Sequence, residues 1–278
     1  MKVVTLIDNS CEASNLQAEH GLSLYIETKN HKVIFDTGQS DAFLMNAQKL
    51  SIDIQQVDII IISHGHYDHL GGLMTLLQIN AKAKVYLKKE IFDSNYFSVR
   101  KGLIRQIGYS PELEMYKDRF CYIDKLTQID ELMLMGHISK PFPVPKGNGI
   151  LLRTNGNTLV QDDFNHELIL AININQEVSI FSGCAHSGIL NILHTVQKNI
   201  RYCTIKMIVG GFHLIEKNDF IDTETAQEIR NIATEINKIS EEILIYTGHC
   251  TGASAANELR KIFGERLDFF TTGKSIHI

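Results

Sequence analysis

Short runs rich in β-branched residues recur along the chain, and many of them end at a Gly, Asp or His. Such runs, bounded by turn residues, are typical of buried β-strands. The pattern predicts ten strands, at residues 3–7, 22–27, 32–35, 58–63, 84–87, 168–174, 178–182, 205–209, 243–247 and 267–270.

Apolar residues at helical spacing predict five helices, at residues 41–50, 69–79, 189–199, 223–239 and 254–263. The first strands follow one another through short turns, as in an antiparallel meander, whereas the later strands alternate with helices. We therefore expect a layered α/β protein in which helices cover two sheets.

The segment from about residue 88 to residue 161 interrupts this order. It is charged and irregular, and it contains all four prolines of the chain, three of them within residues 141–145. We interpret it as an insertion or lid within a single domain that spans residues 1–278.

Charge and hydropathy narrow the choice of partner. The chain has 27 Lys and Arg against 32 Asp and Glu, a net charge of -5, and no long basic run that could follow a phosphate backbone. No stretch approaches the roughly 18 apolar residues of a membrane span. The expected partner is a small molecule, with neither nucleic acid nor membrane.

Two features predict the compartment. The apolar run at the start of the chain meets Asp8 too soon for the core of a signal sequence. The five cysteines are odd in number, scattered and never in a C-x-x-C pair, which argues against a disulfide framework. We therefore expect a reducing, cytoplasmic environment.

The strongest chemical signal is a dense histidine cluster that directly follows a predicted strand. His64 and His66 are two residues apart, so they point the same way in extended chain, and Gly65 permits a turn that lets both reach one ion. Asp68 and His69 fall in the first turn of the next helix, where they can reach a second ion about 3.5–4 Å from the first. A polar loop with coincidental histidines is the alternative. The density of the cluster favours a site for two metal ions.

The spacing His64-x-His66-x-Asp68-His69 after an apolar strand resembles the signature of the metallo-β-lactamase superfamily. The resemblance implies a four-layer αββα sandwich with metal ions at the edge of the sheets. It also implies that Asp36, which follows a strand and precedes a turn glycine, supports the metal-binding loop. A simple turn stabilised by the Asp36 side chain is the alternative.

Four further segments, at residues 35–40, 182–189, 210–214 and 247–252, resemble one subgroup of that superfamily. It is the subgroup of 7,8-dihydropterin-6-yl-methyl-4-(β-D-ribofuranosyl)aminobenzene 5′-phosphate synthase-like proteins. The resemblance extends over nearly the whole chain. It implies a phosphorylated small-molecule substrate of the pterin type.

The resemblance also implies how the two coordination spheres are completed. His186 and His249 each follow a predicted strand at the mouth where the first cluster lies. One ion would then be held by His64, His66 and His186, and the other by Asp68, His69 and His249.

Two further residues that follow predicted strands near this cluster each have two possible roles. Relatives usually place a bridging Asp where this chain has Cys184, which is either a thiolate ligand or a small buried residue. His213 is expected to face the substrate or transfer a proton, with a core histidine as the alternative. Cys250 is interpreted as a packing residue. The remaining histidines are interpreted as surface or structural residues: His20, His31, His137, His166, His194 and His277.

Two cations that share a water lower its pKa and supply hydroxide, which Asp68 can orient. We expect zinc, with manganese or iron as alternatives that accept the same ligands. The predicted function is hydrolysis of a phosphodiester or another ester, or the related displacement at a pterin-methyl pyrophosphate. A non-catalytic metal or ligand sensor on the same fold is the competing function.

Overall fold

The computed structural model describes residues 1–217 and 221–278. In chain order its strands are β1 (Lys2–Ile7), β2 (Ser23–Glu27), β3 (Lys32–Phe35), β4 (Ile59–Ile61), β5 (Lys84–Leu87), β6 (Tyr96–Arg100), β7 (Leu103–Gln106), β8 (Phe120–Tyr122), β9 (Thr127–Ile129), β10 (Leu132–Met135), β11 (Leu151–Asn155), β12 (Thr158–Gln161), β13 (Ile169–Ile174), β14 (Glu177–Phe181), β15 (Thr204–Val209), β16 (Leu244–Thr247), β17 (Leu267–Phe269) and β18 (Ser275–His277).

The helices are α1 (Ala42–Lys49), α2 (Tyr67–Leu70), α3 (Leu73–Ile79), α4 (Ile189–Asn199), α5 (Ala226–Ile239) and α6 (Ala253–Phe263). None of the helices in the described ranges is long and apolar enough to cross a membrane.

Two seven-stranded sheets form the body of the molecule. The first has the order β18-β1-β2-β3-β4-β5-β8, with antiparallel pairs from β18 to β3 and parallel pairs from β3 to β8. The second has the order β17-β16-β15-β14-β13-β10-β9, in which β14 to β17 are parallel and the rest antiparallel. Each sheet therefore has a block of parallel strands whose carboxyl ends share one edge.

Both faces of each sheet are buried, because successive strand residues point to opposite sides and both sides are apolar here. Phe35 of β3 and Phe181 of β14 meet between the two sheets, with their ring centroids 6.3 Å apart. On the outer faces, Ile34 joins a core with side chains of α1 and α3, and Ile180 joins one with α4, α5 and α6. The layers are helix, sheet, sheet and helix, which confirms the predicted αββα sandwich.

All ten predicted strands are present, with small shifts at their ends. The single helix predicted at residues 69–79 is wrong in detail, because α2 and α3 are separate and Gly71 and Gly72 lie between them. A Cβ on Gly71 would lie 2.3 Å from the carbonyl oxygen of Gln39, and one on Gly72 would lie 2.4 Å from that of Ser40. Only glycine lets the helices approach the loop after β3 this closely.

The segment 88–161 is more regular than the sequence pattern predicts, since it contains seven strands. β8 extends the first sheet, and β9 and β10 extend the second. The other four form a small antiparallel sheet of order β12-β11-β6-β7, which has its own core of Tyr96, Ile107, Leu151 and Phe164. That the segment serves as a lid stays a prediction.

Candidate metal centre

The carboxyl ends of the parallel strands of both sheets meet at one edge of the sandwich. Asp36 follows β3 and His64 follows β4, while His186, His213 and His249 follow β14, β15 and β16. Asp36, His213 and His249 have left-handed backbone angles, with φ of 60°, 49° and 52°. Such conformations are costly for residues with a side chain and cluster at functional sites. The fold thus brings the predicted site residues together.

Three buried histidines, His64, His66 and His186, form the first candidate ligand group. Their ligand nitrogens all lie within 4.8 Å of one another. The Nε2 atom of each ring is buried and has no hydrogen-bond partner among residues 1–217 and 221–278. Unpartnered buried polar atoms are rare in native proteins and call for an ion or a water. Three convergent imidazole nitrogens are a donor set that fits a zinc-type ion.

The surroundings hold these three imidazoles in the form that binds metal. Burial and the neighbouring histidines lower the pKa of His66 to about 3 and the pKa of both His64 and His186 well below 6.5. They are therefore neutral, as ligation requires. Ser63 Oγ lies 2.9 Å from His64 Nδ1, and Asn148 Oδ1 lies 2.9 Å from His186 Nδ1. These contacts engage Nδ1 and leave Nε2 free.

Asp36 is fully buried beside the second group of candidate ligands. Its carboxylate accepts hydrogen bonds from Ser63 N, Ser63 Oγ and His69 Nδ1, each at 2.7 Å. With its proton on Nδ1, His69 presents the Nε2 lone pair towards His249 Nε2 at 3.1 Å and Cys184 Sγ at 3.2 Å. Contacts of this kind orient a ligating imidazole.

The second group consists of Asp68, His69 and His249. Asp68 Oδ2 lies 3.3 Å from His249 Nε2 and 3.7 Å from His69 Nε2. Burial alone would raise the pKa of Asp68, but His69, His20 and His249 together hold that pKa well below 3.8. Asp68 is therefore an ionised carboxylate among three imidazoles, which suits it as a ligand for a cation.

His20 is a site residue that the sequence analysis missed. It lies in the loop before β2, with half of its side chain exposed, and its Nε2 is 3.3 Å from Asp68 Oδ2. The ligand atoms of His20, Asp68 and His249 lie within 4.8 Å of one another. Nothing in the local sequence marks His20, because its neighbours are brought close only by the fold.

His166 is a second residue that the sequence analysis did not assign to the site. It is buried, and its Nδ1 accepts a hydrogen bond from Gly65 N at 3.0 Å while its Nε2 donates to Asp162 Oδ2 at 3.1 Å. Its two nitrogens are thus both engaged. His166 holds the turn between His64 and His66, which is a structural role at the site and not a surface position.

Cys184 and His213 both lie within the cluster. Cys184 is buried, and its sulfur is within 4.8 Å of ligand nitrogens of His64 and His69, one from each candidate group. Burial raises the pKa of the Cys184 thiol well above 9.0 in the absence of an ion. The ring of His213 lies 4.2 Å from that of His186. The structure is compatible with both alternatives for each residue.

A groove of about 410 Å³ opens beside Tyr67, the residue before Asp68. Besides Tyr67, the groove is lined by Tyr109, Met74 and Leu113. Gln106 and Ser110 add polar groups to these aromatic and apolar walls, and Tyr67 is followed in the chain by Asp68 of the second group of candidate ligands.

A sandwich of this topology, with histidine and carboxylate donors at its strand ends, defines the class of the protein. The family model described as "Metallo-beta-lactamase superfamily" matches residues 17–158, about half of the chain. The chain belongs to the metallo-β-lactamase superfamily, whose members are generally metal-dependent hydrolases.

Particular relatives refine this assignment. The Methanocaldococcus jannaschii protein named 7,8-dihydropterin-6-methyl-4-(beta-D-ribofuranosyl)-aminobenzene-5'-phosphate synthase is 28% identical to this chain, over 99% of this chain and 96% of its own. The crystal structure of Tm1679, described as a metal-dependent hydrolase of the beta-lactamase superfamily, has a TM-score of 0.84 and 30% identity, covering 100% of this chain and 99% of that one. Zn(2+)-bound PqqB from Methylobacterium extorquens shares the fold alone, with a TM-score of 0.58, 10% identity and 100% coverage of both chains. The predicted resemblance is confirmed.

Proposed function

We propose that this protein is a dinuclear metal-dependent hydrolase of phosphoesters or other esters. The observation that carries the proposal is the convergence of three buried, unpartnered Nε2 atoms. Zinc is the ion that we propose, with manganese or iron accepted by the same donors. One ion would bind His64, His66 and His186, and the other Asp68, His69 and His249.

When bound, two divalent ions lower the pKa of water and polarise an ester oxygen. In the proposed reaction Asp68, an ionised carboxylate, would orient the attacking water. His20 contacts the same carboxylate and is half exposed, so it would stabilise the charge and position of Asp68 from the solvent side. His213, for which the sequence analysis expected a substrate-facing or proton-transfer role, lies beside His186.

The substrate that we propose is a phosphorylated pterin or a similar flat, anionic molecule. The groove beside Tyr67 offers the rings of Tyr67 and Tyr109 for stacking. Burial and Asp68 raise the pKa of Tyr67, while the charges of Arg105 and Arg100 oppose that rise. Neither arginine lines the groove, but their positive charge would favour a phosphate on this side of the molecule. The name of the Methanocaldococcus jannaschii relative supports this class of molecule.

We further propose that, within residues 88–161, the small sheet of β6, β7, β11 and β12 is the lid. It would cover the edge of the sandwich where the candidate ligands lie. The ring centroid of Tyr96 lies 4.3 Å from that of His166 and 6.0 Å from that of His66. A Cβ on Gly65 would lie 3.2 Å from the Tyr96 ring. The small sheet therefore packs directly against the metal-binding turn, as a lid should.

The test uses the full chain loaded with zinc, manganese or iron and assayed on bis(4-nitrophenyl) phosphate and on a phosphorylated dihydropterin. A chelator should abolish turnover. His66→Ala and His249→Ala should each lower turnover by at least about a hundredfold, with reduced metal content, because each removes a ligand. His277→Ala, at an exposed position on β18, is the matched control and should behave as the wild type.

Three outcomes would contradict parts of the proposal. Wild-type turnover and metal content in His66→Ala or His249→Ala would remove that histidine from the site. Full metal loading without turnover of any ester would reject the hydrolase and favour the sensor. Equal kcat/KM for the phosphorylated pterin and the plain phosphodiester would reject the substrate class alone.

A further inference from the structure

Three soft donors, Cys184, His213 and Cys250, follow the neighbouring parallel strands β14, β15 and β16. Two sulfurs and a ring nitrogen of this Cys–His–Cys cluster lie within 4.8 Å of one another. Neighbouring strands are about 4.8 Å apart, so the sheet itself sets this spacing. None of the three is needed to complete the six-ligand set proposed above.

His213 is the part of the cluster that packing does not explain. The residue is only 7% exposed, yet within the described ranges neither ring nitrogen makes a hydrogen bond of good geometry, and the thiol of Cys250 is its one polar side-chain neighbour of this kind. Burying a polar group without a partner is costly, and native proteins avoid it unless something satisfies the group. Its left-handed backbone adds a further cost, which a functional contact would justify.

The sulfur of Cys250 lies in a space that the backbone at Gly211 leaves free. A Cβ on Gly211 would lie 2.3 Å from Cys250 Sγ, so the sulfur occupies room that only glycine leaves free. The same sulfur accepts a hydrogen bond from His213 N at 3.3 Å. The Cys250 thiol also donates to the carbonyl oxygen of Cys184 at 3.7 Å, so backbone groups of both neighbouring loops hold the sulfur in the cluster.

Simple packing and a Cys184–Cys250 disulfide are the other interpretations of two neighbouring sulfurs. Packing would give the buried His213 ring no partner beyond the Cys250 thiol, and a disulfide would remove even that one. Two thiolates and one imidazole are instead a donor set that zinc accepts, with a fourth position left open. Bonds of about 2.0–2.3 Å to such donors place them roughly 3.3–3.8 Å apart in a tetrahedral site, so small side-chain rotations suffice.

We propose that the Cys–His–Cys cluster binds a thiophilic ion such as zinc through Cys184 Sγ, Cys250 Sγ and one ring nitrogen of His213. Binding replaces two S–H bonds by two metal–thiolate bonds, and the two protons leave to solvent. Cys184 Sγ also lies 3.2 Å from His69 Nε2, so the ion borders the six-ligand set. If the cluster binds an ion, Cys250 is a ligand and not simply the packing residue expected from the sequence. His213 is then a ligand as well, and not a proton-transfer group.

The experiment replaces the bound metal with Co(II) in the full chain, under a reductant that is not a thiol, and records thiolate-to-cobalt absorption in the near ultraviolet. Cys250→Ser should lower this absorption by about half, because one of two thiolates is lost. His213→Asn keeps both thiols and should also weaken cobalt binding at the cluster. After zinc loading, each variant should retain about one ion fewer per chain than the wild type.

Cys203→Ser is the matched control, since Cys203 precedes β15 and so lies at the opposite end of that strand from His213. It should keep the wild-type spectrum and zinc content. His66→Ala separates this inference from the proposed function, because it should lose an ion from the six-ligand set and keep the thiolate absorption. Wild-type thiolate absorption and zinc content in folded Cys250→Ser or His213→Asn would overturn the inference.

Discussion

At the scale of single residues, Asp36 shows how a residue outside the two candidate ligand groups can orient one of their histidines. Its buried carboxylate accepts from Ser63 N, Ser63 Oγ and His69 Nδ1. The contact with His69 selects the tautomer whose Nε2 carries a lone pair, and the two contacts with Ser63 fix the start of the turn that carries His64 and His66. One carboxylate thus orders both candidate groups.

Asp36→Asn should weaken metal binding by about 10–100-fold, because an amide NH₂ would face the donor groups that the carboxylate now accepts from. Asn tolerates the left-handed backbone at this position, so the fold should survive. Competition against a chromophoric chelator measures the affinity. Asp53→Asn, at the exposed start of a short 3-10 helix, should bind metal like the wild type. Unchanged affinity in Asp36→Asn would reject the supporting role.

At the scale of elements, α5 illustrates how local chemistry defines a boundary. Thr225 Oγ1 accepts from Glu228 N at 3.2 Å, and Glu228 Oε2 accepts from Thr225 N at 2.7 Å, which together form a capping box. Hydrogen bonds from Thr225 N and from Lys146, together with one from Thr225 Oγ1, lower the pKa of the Glu228 carboxyl to about 2. The helix predicted to begin at residue 223 therefore begins at Ala226, directly after its cap.

Thr225→Ala should lower the free energy of unfolding by about 1 kcal/mol, because the amide of Glu228 loses its acceptor. Urea unfolding followed by circular dichroism measures the change. Thr234→Ala, at an exposed position in the middle of the same helix, should not destabilise the protein, since Ala has the higher helix propensity. Equal stability of the Thr225 variant and the wild type would show that the cap contributes nothing.

At the scale of the whole molecule, His31 connects the two sheets. It lies in the turn between β2 and β3, and its Nδ1 and Nε2 lie 2.9 Å from Asp58 Oδ2 and 2.8 Å from Asp130 Oδ2. Asp58 precedes β4 in the first sheet, and Asp130 lies between β9 and β10 of the second. Both carboxylates accept, so both ring nitrogens must carry protons. Partial burial lowers the pKa of His31, but these two hydrogen bonds outweigh it and raise the pKa above 6.5.

This contact predicts a pH-dependent stability. Because the folded pKa of His31 is raised, its stabilisation is full below the unfolded pKa of 6.5 and is lost as pH rises through the folded pKa. The wild type should exceed His31→Gln in free energy of unfolding by up to about 1 kcal/mol near pH 6, as partly exposed ion pairs do, and by less near pH 9. Urea unfolding at both pH values measures the difference, with His277→Gln as the control. A difference that grows with pH would contradict the assigned charge state.

The strands, most of the helices and the dense group of candidate ligands after β4 could be predicted from the sequence alone. Strands such as Ile59–Ile61 could be predicted because both faces of these sheets are buried, so the apolar run is visible without knowledge of the partner strand. The turn at residues 64–69 could be predicted because its donors lie within a few residues of one another, and chain geometry alone brings them together.

Which distant residues meet these donors depends on the tertiary structure. His20 reaches Asp68, and His166 reaches Gly65 from a position 101 residues away, through contacts that have no local pattern. The same reason explains the segment 88–161, whose strands form because β10 pairs with β13 and β6 pairs with β11. A short strand is stabilised by the hydrogen bonds and side chains of its neighbour, and the position of that neighbour is a property of the whole fold.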